Sequence, residues 1–169
     1  MNLLEVSLQE LYQSTVAAFP STTKRQHSTD TIEILRLEVT PFLGVKTLMI
    51  KGLAQNEGKE YNPFIVFKQV IYQPKRGRNI IEIADMKGEK YFVERLSIED
   101  NDVLVRCNCR DFYWRFTHTD HTEKCLMGRN RKKYEAQINP GSANPLNKEG
   151  MCKHLIKLMK VLSENRIIA

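Results

Sequence analysis

The chain opens with apolar residues at three- and four-residue steps, Leu3, Leu4, Leu8, Leu11 and Tyr12, before Phe19-Pro20 interrupts them. That spacing predicts one short amphipathic helix ending ahead of the proline. The polar stretch Ser21 to Asp30 reads as a loop. Ile32 to Val39 reads as a strand whose apolar phase moves from Ile32 and Ile34 to Leu35, Leu37 and Val39. A phase change of one residue predicts a bulge or bend near Leu35.

Five more β-type runs follow: Val45–Leu53, Phe64–Tyr72, Ile80–Ala84, Tyr91–Leu96 and Val103–Phe116. The turn-forming stretches Asn56-Glu57-Gly58, Pro74-Lys75-Arg76-Gly77 and Lys87-Gly88 separate them. Asp85-Met86-Lys87-Gly88-Glu89, between two apolar runs, is a hairpin signal. The middle of the chain therefore reads as an antiparallel sheet. Residues 117–151 carry Gly128, Pro140, Gly141, Pro145 and Gly150 with little apolar periodicity and read as one long loop. A loop of that length inside a domain needs something to tie it down. From Lys153 the pattern is helical: Leu155, Ile156, Leu158, Met159 and Leu162 form a stripe, with Lys157 and Lys160 on the other side.

The expected fold class is α+β, mainly antiparallel sheet with an N-terminal and a C-terminal helix. A chain of 169 residues suits one domain with a real core. Within it, residues 1–30 supply the first helix and loop, 31–106 the β-rich region, and 107–169 the last helix with its long inserted loop. Hydrophobic residues at 41% and charged residues at 27% are ordinary globular values, so neither disorder nor a fibrous repeat is suggested. No apolar run approaches the ~20 residues that cross a bilayer. The first residues lack the basic start and apolar stretch of a secretory signal, which points to synthesis in a reducing cytoplasm. In such surroundings a close cysteine cluster reads as a metal site rather than a disulfide framework.

Cys107-Asn108-Cys109 falls inside the last predicted strand, where residues two apart project from one face with backbones ~7 Å apart. Both thiolates can then swing onto one ion. Cys152-Lys153-His154 works differently, because residues two apart within a helix point away from each other. The pair can converge only at a helix entrance, with Cys152 outside and His154 in the first turn. The helical stripe begins just there. Three thiolates and an imidazole make a closed tetrahedral set for one structural zinc, with no position left for a reacting water. Closure would also clamp the 42 residues between Cys109 and Cys152, and structural zinc can contribute on the order of 10 kcal/mol. His118, His121 and Cys125 lie inside the loop. On a helix His121 and Cys125 would be i, i+4 ligands, but Thr119, Asp120 and Thr122 around them disfavour one, so all three read as surface residues.

Cys-x-Cys on a strand, a long insert, then Cys-x-His at the head of a helix resembles the SWIM-type zinc finger, a ββα module. Arg106-Cys107-Asn108-Cys109-Arg110-Asp111-Phe112-Tyr113-Trp114-Arg115-Phe116, with Asn144-Pro145 and Gly150-Met151-Cys152-Lys153-His154-Leu155, is similar to SWIM-containing proteins of tailed bacteriophages. The similarity extends upstream through Lys51-Gly52-Leu53-Ala54-Gln55 and Tyr61-Asn62-Pro63. It implies a ββα zinc module and a virion structural protein of the neck, baseplate or capsid, made in the host cytoplasm and partnered by other virion proteins. Beside the ligands, Asp111 is placed to accept hydrogen bonds near the site or to pair with Arg110 or Arg115. Phe112, Trp114 and Phe116 alternate and read as one buried strand face rather than a base-stacking platform.

No phosphate-binding glycine loop, nucleophile elbow or suggestive carboxylate pair is present, and Glu99-Asp100-Asn101-Asp102 reads as a turn too short for a calcium loop. The expectation is a non-enzyme with neither small-molecule substrate nor membrane. The net charge of +6 is concentrated late: residues 1–116 hold 16 Lys/Arg against 15 Asp/Glu, and 117–169 hold 10 against 5. Arg129, Arg131, Lys132 and Lys133, with Lys75, Arg76 and Arg78, are the candidate contacts to an acidic protein surface. A nucleic-acid-binding module, with DNA as partner, is the alternative for the same residues.

Overall fold

The computed structural model describes residues 6–19, 29–130, 144 and 148–169. Its first helix, α1 (Leu8–Ala18), starts at Ser7, whose hydroxyl accepts a hydrogen bond from the Glu10 N–H at 3.3 Å. This is an N-cap that satisfies one of the free amides of the first turn. Leu8, Leu11 and Thr15 form its buried side. Leu3 and Leu4 of the predicted stripe lie outside the described residues.

Eight strands follow: β1 (Ile32–Phe42), β2 (Thr47–Asn56), β3 (Lys59–Tyr61), β4 (Phe64–Phe67), β5 (Tyr72–Gln73), β6 (Ile80–Ala84), β7 (Lys90–Glu94) and β8 (Val103–Arg106). The first sheet runs β1-β2-β4-β8, with β3 added to the end of β2, and the second runs β5-β7-β6. Every strand pair is antiparallel. The expected phase change in β1 is a bulge: Ile34 faces Ala54, Arg36 faces Leu53, and Leu35 between them is left out and exposed. In the hairpin from β6 to β7 the Asp85 carboxylate accepts from the N–H groups of Lys87 and Glu89, both at 2.9 Å, as the turn residues predict.

The buried face of the first sheet alternates Leu48, Ile50, Gly52 and Ala54 on β2 with Ile65 and Phe67 on β4 and Val103 and Val105 on β8. Against it lies the C-terminal helix α4 (Lys153–Glu164), burying His154, Leu155, Ile156, Leu158, Met159 and Leu162. The fit is close at Gly52, where a Cβ would sit 3.1 Å from Leu158 Cδ1. Lys157 and Lys160 are only partly covered, as their place opposite the stripe requires. The architecture is thus α+β, mostly antiparallel, with a helix at each end.

Three expectations change. The run Phe64–Tyr72 is two strands, because Gln69 adopts a left-handed φ of 53° and turns the chain toward the second sheet. The run Val103–Phe116 is strand only to Arg106, and Arg110–Arg115 is a helix, α2. Residues 117–151 are not all loop, since Thr117–Thr122 forms α3 directly after α2. The weak helix formers in α3 are held by buried hydrogen bonds: Thr119 Oγ1 donates to Phe116 O at 3.2 Å, and Asp120 Oδ1 accepts from the Gly150 N–H at 2.8 Å. Phe112 and Phe116, four apart on helical backbone, both enter the core, whereas Trp114 is only partly covered.

Candidate metal centre

Strand β8 ends at Arg106 and delivers Cys107 immediately after it. Cys109 is not a strand residue. It is the N-cap of α2, at φ −76° and ψ 156°, and its sulfur accepts from the Phe112 N–H at 3.3 Å. Cys152 is likewise the N-cap of α4, at φ −72° and ψ 169°, and His154 stands in the first turn. Both Cys-x-Cys and Cys-x-His therefore converge through extended residues at helix entrances, and not through two neighbours on a strand face.

The ligand atoms of Cys107, Cys109, Cys152 and His154 all lie within 4.8 Å of one another, and all four residues are buried. His154 Nδ1 is 3.9 Å from the sulfurs of both Cys107 and Cys152. A tetrahedral ion with about 2.3 Å sulfur and about 2.0 Å nitrogen bonds sets its donors roughly 3.5–3.8 Å apart, so a small contraction closes the shell. Electrostatics also fits a cation. Burial pushes the Cys107 and Cys152 thiols well above their ordinary range, while hydrogen bonds from those two thiols hold Cys109 far below it. Burial penalises thiolates placed side by side here, and a divalent cation would offset that penalty. The residues fit one metal ion, and no disulfide competes, since all four cysteines are free.

The elements that aim Cys152 come from far along the chain. Asp120 on α3 is wholly buried and its Oδ1 accepts from the Gly150 N–H at 2.8 Å. Thr15 on α1 donates its hydroxyl to Leu11 O at 2.7 Å and accepts from the Met151 N–H at 2.9 Å. Asn144 joins the bundle, donating to the carbonyls of Arg115 at 2.9 Å and Lys148 at 2.7 Å. The approach to the site is thus ordered by helices and buried polar groups as well as by the metal ligands. Asp111 pairs with Arg115 at 3.4 Å, one of its two expected partners.

Tyr61 and Asn108 also reach the site, without a spacing that marks them. The Tyr61 ring stacks on His154, centroids 4.3 Å apart and planes at 29°. The Asn108 side-chain oxygen accepts from the Asn62 N–H at 2.8 Å. No local pattern in the sequence signals either contact.

Of the three loop residues, His118 and His121 are exposed as expected, but Cys125 is not a surface residue. It is fully buried, and its carbonyl accepts from the Val105 N–H at 2.8 Å, so the chain after α3 returns along β8. Burial, reinforced by the nearby Asp120 carboxyl, pushes its thiol far up, and its sulfur is not among the clustered donors. Lys75, Arg76 and Arg78 are exposed between β5 and β6, and Arg76 pairs with Glu82 at 2.8 Å. Arg129 is exposed, and its carbonyl accepts from the Arg106 guanidinium at 2.6 Å. Arg131, Lys132 and Lys133 lie outside the described residues. Among the described residues no helix is long and apolar enough to cross a membrane.

Fold and site together define an α+β chain with a buried three-cysteine, one-histidine donor set at the head of its last helix. No known protein family, curated protein or solved structure matches this chain.

Proposed function

We propose that the chain is a non-catalytic component of a tailed-phage particle, stapled by one zinc ion and acting through protein–protein contacts. The observation that carries the staple is the closed, buried donor set of Cys107, Cys109, Cys152 and His154. Thiolate-rich tetrahedral sites select zinc among common divalent ions, and a site with four protein ligands leaves no position for a substrate or a reacting water. Loss of one ligand leaves an incomplete shell around a buried charge, so each ligand is needed.

The particle role rests on the resemblance of the Cys-x-Cys and Cys-x-His segments to phage SWIM-containing proteins. It is supported by the apolar tip between β1 and β2, where Phe42, Leu43 and Val45 are exposed, Val45 at 70%. Ile71 lies beside this tip, since the Val70 N–H donates to Lys46 O at 2.9 Å, and it is exposed as well. Exposed apolar clusters of this kind mark contact surfaces. The DNA-binding alternative uses the same basic residues, of which Arg76 pairs with Glu82 at 2.8 Å, and the exposed apolar tip adds nothing to it.

Metal analysis of protein purified without added metal tests the staple and is expected to give close to one zinc per chain. Iron in its place, or none, overturns it. Cys107→Ser, Cys109→Ser, Cys152→Ser and His154→Ala should each lose the metal, while Cys125→Ser keeps it. Mass spectrometry of purified particles tests the role: stoichiometric copies support it. Absence from particles, combined with salt-sensitive DNA binding, replaces it with the nucleic-acid reading.

A further inference from the structure

A histidine that ligates a metal through one ring nitrogen is usually held by a hydrogen bond from the other, which sets both tautomer and orientation. Among the described residues His154 has no such bond. Its Nδ1 faces the sulfurs of Cys107 and Cys152 at 3.9 Å, whereas Nε2 is buried and has no hydrogen-bond partner among the described residues. The contact that does define the ring plane is the Tyr61 stack at 4.3 Å.

The segment bearing Tyr61 is built for this. Strand β3 is three residues long and pairs only with the end of β2 among the described strands, Tyr61 facing Ala54. The chain then turns back and is pinned twice. The Asn62 N–H donates to the Asn108 side chain at 2.8 Å, and Pro63 O accepts from the Gly52 N–H at 2.9 Å. Asn108 is the middle residue of Cys107-Asn108-Cys109. The same corner that carries Tyr61 is therefore tied to the turn that carries two of the thiols, and the ring and the sulfurs are placed as one piece.

We infer that Tyr61 is a positioning residue for the metal centre: its ring, held by the Asn62–Asn108 hydrogen bond, replaces the missing partner of Nε2 and keeps Nδ1 turned toward the three sulfurs. The inference rests on the reading of the cluster as a metal site. Stacking needs an aromatic face and no hydroxyl, so phenylalanine serves and an aliphatic side chain does not. In Tyr61→Leu the ring is free to swing between Nδ1 and Nε2 ligation.

The test uses the full-length, metal-loaded protein. Metal release to a chromogenic chelator is timed, and the His154 tautomer is read from long-range proton–nitrogen NMR of the imidazole. Tyr61→Leu is expected to release metal about tenfold faster, the lower end of the loss seen when a supporting partner of a ligand is removed, and to show mixed ring signals. Tyr61→Phe should match wild type in both. Asn108→Ala, which keeps the ring but frees its corner, should shift both readouts in the direction of Tyr61→Leu. Val93→Ala, in the second sheet, controls for general destabilisation: release stays at the wild-type rate. If Tyr61→Leu keeps one Nδ1-ligated tautomer and the wild-type release rate, the inference falls and the metal reading stands. If wild-type protein holds no metal, the metal reading itself falls and takes the inference with it.

Discussion

Asp120 and Gly150 are 30 positions apart, yet the Gly150 N–H donates to the Asp120 carboxylate at 2.8 Å in a fully buried setting. Two residues beyond Gly150 stands Cys152, so this bond helps set where the third thiol enters the cluster. Residue 150 has no room for a side chain: a Cβ there would lie 2.5 Å from both Phe116 Cε1 and Thr15 Oγ1. Gly150→Ala is expected to cost about 1–3 kcal/mol, the range for overpacking a well-packed core. It should also weaken metal retention, because the strain falls on the approach to Cys152. Thermal denaturation and metal content of the purified variant check both; a wild-type melting temperature with full metal would count against a tight approach.

The same carboxyl makes stability depend on pH. Burial raises the Asp120 pKa well above its ordinary 3.8, and the hydrogen bond from the Gly150 N–H opposes this only in part. Glu149 and Glu123 add repulsion. The unfolded chain therefore gives up this proton at lower pH than the folded one. The resulting contribution is fully present below the ordinary carboxylate value and is lost as pH rises toward the raised folded value. Asp120→Asn retains an acceptor for Gly150 and removes the titration. Its stability relative to wild type should increase as pH rises above the ordinary carboxylate value of 3.8. Parallel stability profiles for the two proteins would refute the shift.

Removing the metal should not loosen the whole chain equally. The cluster joins β8, α2 and α4, whereas the β5-β7-β6 sheet contributes no donor to it. Hydrogen exchange after chelation is expected to accelerate first at Phe112 and Tyr113 in α2 and at the start of α4, with Val93 and Ile83 protected longer. The stretch from Gly150 to Met151 should respond less than the ligands, since Asp120 and Thr15 hold it independently. Simultaneous exposure of every amide would mean that the second sheet depends on the metal as much as the site does.

Helical rather than extended backbone after Cys109 makes the three aromatics unequal. Phe116 is fully buried and meets Phe19 edge-on at 5.8 Å, and Phe112 is buried beside it at 6.1 Å. Phe116→Ala is expected to cost about 3–5 kcal/mol, as for large aromatics removed from cores. Trp114→Ala, from a partly covered position, should cost clearly less. On a strand the alternating residues would share one face and lose similar amounts. Equal losses in urea denaturation would therefore restore the strand reading.

Much of the site was legible from local pattern. The four clustered donors follow from two short motifs and the start of the last helical stripe, since Cys152 and His154 can converge only at a helix entrance. The Leu35 bulge and the Asp85–Glu89 hairpin were legible for the same reason: both depend on residues within a few positions of each other. The backbone between Cys107 and Thr122 was not. Positions 112, 114 and 116 satisfy a two-residue alternation, yet 112 and 116 also satisfy a helical step, and only the Cys109 cap and the core around Phe116 choose between them. Burial of Cys125, the helix made of Thr117 to Thr122, and the support from Thr15, Tyr61 and Asp120 had no local signature. Each depends on a partner distant in sequence, so composition and spacing determined which residues could bind a metal. The tertiary packing of α1, β3 and α3 decided how those residues are held.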